Sequence, residues 1–194
     1  DIAVMRAIPT MTVIVPADAV ETRKAVEAAA WFDGPVYIRL TRANLPVIYS
    51  DDKPFRIGTA TEVRPGEDVT IFAVGLMLHS ALEAAEQLAE SDGISARVVD
   101  LATVKPVDEH QVSRCAKETG CVVTAEEHNI CGGLGDAVGE VLLRRWPVPM
   151  ERVAVRDSFG RSGDPKELLE YFELTPEAIV TAARRAIARK VRHP

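Results

Sequence analysis

Val69-Thr70-Ile71-Phe72-Ala73-Val74-Gly75 is a mostly apolar run that closes in glycine, and its surroundings decide the fold class. A short run rich in β-branched and aromatic residues reads as a strand buried on both faces. Leu78, Leu82, Ala85 and Leu88 then recur at helical spacing, Asp92-Gly93 supplies a stop, and Ile94 to Leu101 reads as a second strand. Working outward, a strand around Gly58 to Val63 and a turn at Pro65-Gly66 precede the unit. A helix from Val107 to Glu118, a strand from Cys121 to Thr124, a helix from Gly132 to Trp146 and a strand from Val153 to Val155 follow it. Asp164-Pro165-Lys166-Glu167 and Thr175-Pro176-Glu177-Ala178 each place a capping residue before Pro at the first helical position, so two helices end the pattern. The expectation is an α/β domain over residues 55–194, doubly wound around a mostly parallel sheet.

Upstream, Val13 to Val15 and Val36 to Leu40 are short apolar runs bracketing a helical stripe of Val20, Ala25, Ala28 and Ala29 within Asp18 to Phe32. This is a β-α-β unit with too few strands to cover its own sheet, so residues 1–48 read as part of a domain. Residues 49–54, Tyr49-Ser50-Asp51-Asp52-Lys53-Pro54, are polar and without periodicity and are expected as a linker. Asp1 to Pro9 reads as the tail of an element, with no initiator Met and no capping residue before its apolar residues. The expectation is that the chain begins within a longer protein.

Of the 194 residues, 47% are apolar and 27% charged, which is ordinary for a globular chain. A mean hydropathy of +0.02 offers no membrane span. The net charge of -6 excludes a general basic field for nucleic acid or an anionic membrane, so any anion must be held locally. Arg184, Arg185, Arg189, Lys190 and Arg192 suit the negative end of a terminal helix. Cys115, Cys121 and Cys131 lack paired spacing, which argues against zinc and a disulfide framework and fits a reducing cytoplasm. Cys131 is expected to be a buried structural residue. His79 reads as a packed or helix-start residue, and His110 and His193 have no ligand-like partner in sequence.

Two places could carry chemistry. Arg42 follows the Val36 to Leu40 strand, where open α/β sheets bind ligands, and its guanidinium could grip a phosphate with two parallel bonds. An interface or linker salt bridge is the alternative. Glu126, Glu127 and His128 precede the Gly132-Gly133-x-Gly135 turn that opens a helix. Free amides and the helix dipole there could bind an anion, and the acids and His could move protons. The glycines form no dinucleotide or P-loop motif, and a tight turn needs them anyway. Arg6 and Arg39 read as structural.

Several of these strings resemble one family. Met5-Arg6-Ala7-Ile8-Pro9, Val15-Pro16-Ala17-Asp18 and Thr41-Arg42-Ala43-Asn44-Leu45-Pro46 resemble the second half of the transketolase pyrimidine-binding domain, with Thr41 where the family commonly has Ser. Glu126-Glu127-His128-Asn129-Ile130-Cys131-Gly132-Gly133-Leu134-Gly135-Asp136 and Asp157-Ser158-Phe159-Gly160-Arg161-Ser162-Gly163 resemble the carboxy-terminal domain, especially of the split, two-subunit form. The resemblance implies a parent enzyme that uses thiamine diphosphate and Mg to move a two-carbon ketol unit between sugar phosphates, in the cytoplasmic pentose phosphate pathway. It assigns Arg42 to the sugar phosphate and Glu126 to Gly135 to the neighbourhood of a subunit contact. The carboxylate, stacking aromatic and histidines that serve the cofactor and substrate belong to preceding segments. The chain alone is therefore expected to be inactive, to hold no cofactor, and to need the missing amino-terminal portion or a partner subunit in a homodimer or heterotetramer. Alternatives are 1-deoxyxylulose-5-phosphate synthase, the beta subunit of 2-oxo acid dehydrogenases, and a stand-alone interaction domain whose Gly132 to Gly135 corner binds an anion.

Overall fold

The fold was analysed in a computed structural model that describes residues 1–190. β4 (Val69–Ala73) is buried along its whole length and lies between β5 (Ala96–Asp100) and β7 (Val122–Asn129), parallel to both. β8 (Met150–Val155) extends the sheet in parallel beyond β7, and β3 (Thr61–Arg64) closes the other edge antiparallel to β5. Alternation along β4 sorts the two faces. Val69, Ile71 and Ala73 face α3 (Met77–Asp92) and α7 (Pro176–Ala188), whereas Phe72 faces α4 (Glu109–Thr119) and α5 (Leu134–Arg145). Thr70 turns its hydroxyl to Thr119 at 2.9 Å and is thereby satisfied within the core. The expected doubly wound α/β class is the one observed.

Local chemistry sets the helix ends. Gly93 stops α3 at φ 66°, a conformation that costs a side-chain-bearing residue energy. Asp164 and Thr175 cap α6 (Pro165–Tyr171) and α7 through their side chains, each with Pro at the start.

The amino-terminal block does not close on itself. β1 (Thr12–Ile14) pairs in parallel with β2 (Val36–Ile38) across α2 (Ala19–Ala30), and its other neighbour is β6 (Thr103–Lys105), antiparallel, from beyond β5. β6, three residues long, is too short to show a sequence pattern. Ile2, Val13 and Val15 share one apolar cluster with Phe72, Leu101 and Leu134. Burying an Ile that is only 1% exposed contributes about 2 kcal/mol, so this packing joins the blocks firmly.

Three expectations change. The opening residues form α1 (Ile2–Ala7), and Asp1 is its cap, accepting from the Ile2 amide at 2.9 Å. The polar segment 49–54 is fastened rather than free: Tyr49 is buried and donates to Asp100 at 2.6 Å. β7 runs past Thr124 to Asn129, which draws Glu126 into the sheet. His193 and Arg192 lie outside the described residues.

Candidate functional site

Two corners lie at carboxyl ends of strands, where an open α/β sheet leaves a crevice. The first follows β2. The Arg39 amide donates to the Ile14 carbonyl at 2.8 Å, and the Arg39 guanidinium is held by Asp1 at 3.1 Å and Glu127 at 3.0 Å. Residues 40–47 then run without regular structure, and Arg42 lies exposed among them. Among the described residues no carboxylate pairs with Arg42, in contrast to Arg39. The loop ends at Ile48 and Tyr49, whose amides both donate to Asp18 Oδ2, at 2.7 and 2.9 Å.

The second corner joins β7 to α5. The register between β7 and β8 shifts between Ala125 and Asn129, a bulge that re-aims the side chains within it. Glu126 is fully buried there and accepts from the Leu134 amide at 2.6 Å and the Gly135 amide at 2.9 Å. These are opening amides of α5, the place where a helix binds an anion. The chain's own carboxylate fills that place. Burial pushes the Glu126 carboxyl up to about 7, against the lowering pull of the two amides and Arg152.

His128, two residues on and on the same side of the strand, has Nδ1 2.7 Å from the Asn129 carbonyl, so Nδ1 donates. Its Nε2 is then free to accept the Ala3 amide at 3.3 Å. Both contacts suit the neutral ring, and burial holds the His128 pKa below the ordinary value. Gly133 makes the fit possible: a Cβ there would stand 1.9 Å from Glu126 Oε2 and 2.8 Å from His128 Nδ1. Arg6 of α1 donates to the Gly132 carbonyl at 2.5 Å and to the Gly133 carbonyl at 3.0 Å. Glu127 points to the other side and meets Arg39.

The structure therefore brings Glu126, His128, Gly132, Gly133 and Gly135 together as an internal lock. Arg42 lies apart, linked to this corner only through Arg39 in its own loop approach and Glu127. Cys131, expected in the core, is exposed, because the turn after β7 carries it outward; Cys115 and Cys121 are buried, and all three are free. His79 Nε2 lies 3.3 Å from the Ala17 carbonyl and His110 is exposed. Among the described residues no group of His, Cys, Asp and Glu could hold a metal ion, and no helix is long and apolar enough to cross a membrane.

Sequence reasoning missed Asp18 and Asp100. Asp18 was legible as a helix cap, and it does accept from the Glu21 amide at 2.7 Å. Its reach to Ile48 and Tyr49, and the Tyr49 to Asp100 bond, are long-range contacts with no local signature.

Comparison with known proteins fits this architecture. Residues 1–47 match the transketolase pyrimidine-binding domain, and residues 58–179 match the transketolase C-terminal domain. The chain belongs to the transketolase family. It is 48% identical to the 6-deoxy-6-sulfo-D-fructose transketolase subunit of Clostridium sp. (strain MSTE9), over 98% of this chain and 59% of that protein. It is 43% identical to a putative transketolase C-terminal section of Methanocaldococcus jannaschii, over 92% of this chain and 56% of that protein. The transketolase of Rattus norvegicus is 40% identical, over 97% of this chain and 30% of its own length. A solved structure, a split gene transketolase described as an inactive beta4 tetramer, superposes with a TM-score of 0.93 at 47% identity, covering 98% of this chain and 61% of that one. The chain thus spans a little over half the length of the subunit-type relatives it matches.

Proposed function

We propose that this chain is the carboxy-terminal portion of a transketolase that uses thiamine diphosphate and Mg to move a two-carbon ketol unit between sugar phosphates. The observation that carries the reading is Arg42. It lies exposed in the loop beyond β2 with no carboxylate paired to it, while Arg39 nearby is neutralised by Asp1 and Glu127. A guanidinium left free at the carboxyl end of a parallel strand is suited to a phosphate, which it can grip through two N–H donors.

This chain's own residues do not fit the cofactor. Its buried carboxylates are engaged elsewhere: Glu126 with the α5 amides, Asp18 with the amides of Glu21, Ile48 and Tyr49, Glu21 with the Ala17 amide and Lys53, and Asp100 through Oδ2 with Tyr49. The carboxylate that meets an aminopyrimidine then comes from the remainder of the assembly. Trp31 is 92% exposed and Val47 60%, with Val26 and Leu40 also exposed on the same block, an apolar surface suited to a partner portion in a homodimer or heterotetramer. The description of the 47%-identical tetramer as inactive supports a chain that needs such a partner. We place the reaction in the cytoplasmic pentose phosphate pathway, where a reducing compartment suits three free cysteines.

The test is reconstitution with the remaining portion of the enzyme. Ketol transfer is expected from the mixture and not from this chain alone. Arg42→Ala in the mixture is expected to raise the KM for sugar phosphate with the melting temperature unchanged; an unchanged KM overturns the phosphate assignment.

A further inference from the structure

The loop that carries Arg42 has almost no internal bonding, yet both of its ends are fixed. Thr41 Oγ1 accepts from the Ala43 amide at 3.2 Å, but residues 40–47 form no regular structure. The upstream end is held at Arg39 by β1, Asp1 and Glu127. The downstream end converges on a buried polar cluster built from three distant parts of the chain.

Asp18, 4% exposed, supplies three acceptances: Oδ1 to the Glu21 amide and Oδ2 to the amides of Ile48 and Tyr49. The Tyr49 hydroxyl donates to Asp100 at the end of β5, and Lys53 Nζ lies 3.0 Å over the Tyr49 ring and 3.4 Å from Glu21 Oε1. Burial raises the Asp100 pKa, and the neighbouring Glu21 adds to it.

A buried polar cluster gives little net stability over an apolar one, because desolvation offsets its bonds. What directed bonds do give is a fixed geometry. A two-pronged carboxylate that caps α2 and ends the loop sets the loop's exit relative to the helix. We infer that Asp18 is a positioning residue for sugar-phosphate binding, acting through the Arg42 loop, with Tyr49 and Asp100 as its support. This rests on the assignment of phosphate to Arg42.

The test compares Asp18→Asn, Tyr49→Phe and Arg42→Ala in the reconstituted enzyme. Thr175→Ala serves as a control that removes a distant helix cap. Asn keeps the size of Asp18 but turns an amide NH2 toward one of the three donors. Asp18→Asn is expected to raise the KM for a phosphorylated ketose about tenfold with kcat within about twofold, leaving the KM for an unphosphorylated ketose unchanged. Tyr49→Phe should do the same more weakly, and Thr175→Ala should not do it at all. Hydrogen exchange of residues 40–49 in this chain should accelerate in Asp18→Asn and not in Thr175→Ala. If exchange accelerates but Asp18→Asn binds both ketoses normally while Arg42→Ala does not, the positioning role is overturned and the phosphate assignment stands. If Arg42→Ala also binds the phosphorylated ketose normally, the assignment itself falls. Unchanged exchange in Asp18→Asn overturns the tie between Asp18 and the loop. Should Asp18→Asn fail to fold, Tyr49→Phe decides on the same KM comparison.

Discussion

The two strand-end corners of this molecule obey one topological rule and end in opposite states. Beyond β2 a guanidinium is left in the open, whereas beyond β7 the helix amides already hold a carboxylate from the same chain. The lesson is that a glycine turn at a helix start is not by itself a vacant anion site. A single buried acid, in reach because a bulge aims it there, converts a binding corner into a structural lock.

The closed corner is most vulnerable at Gly133. Gly133→Ala drives a methyl into Glu126 and His128, and the loss expected in urea unfolding is about 4 kcal/mol, from overpacking plus disrupted carboxylate bonds. A loss under about 1 kcal/mol would show that the lock is loose.

Next comes Glu126→Gln, which separates lock from ligand site by its pH dependence. The native carboxyl keeps its proton up to about pH 7, while the unfolded carboxyl releases it near pH 4.3, so the folded state binds more protons between these values. The stability linked to this group is complete at acid pH and lost as pH rises through about 7. The wild-type chain is expected to lose about 3 kcal/mol from this source between pH 4 and pH 8, and Glu126→Gln to lack that component. Equal slopes would mean that Glu126 ionises normally.

At the open corner, Arg42→Ala should lower kcat/KM for sugar phosphates roughly 30-fold, the worth of about 2 kcal/mol, without moving the melting temperature. The smallest effect belongs to Arg39, the residue bridging the two corners through Glu127. Its partners are substantially exposed, so Arg39→Ala should cost only about 0.5 kcal/mol in chemical denaturation. A much larger loss would make the corners one cooperative unit.

The central strands were legible because Val69 to Val74 is apolar at every position but Thr70, and the last helices because Asp164-Pro165 and Thr175-Pro176 announce their own starts. The β6 strand was not, since its pairing with β1 is set by tertiary proximity and not by any pattern in Thr103 to Lys105. At the sites, the same split holds. Glu126 and Gly133 could be singled out as residues, but sequence offers a free carboxylate and a free helix end, and only packing shows that each satisfies the other. Tyr49 looked like part of a spacer because its neighbours are polar, while its own ring is buried among residues far away in sequence.

The pairing of Val13 with Lys105 also has a bearing on synthesis. A ribosome releases β1 and β2 long before it releases the strand that flanks them. Until then the nascent chain carries an open sheet edge and the apolar side chains of Ile2, Val13 and Val15, the kind of surface that chaperones shield. Completion of the β2-β1-β6 sheet therefore waits for the arrival of residues 103–105, a non-local pairing.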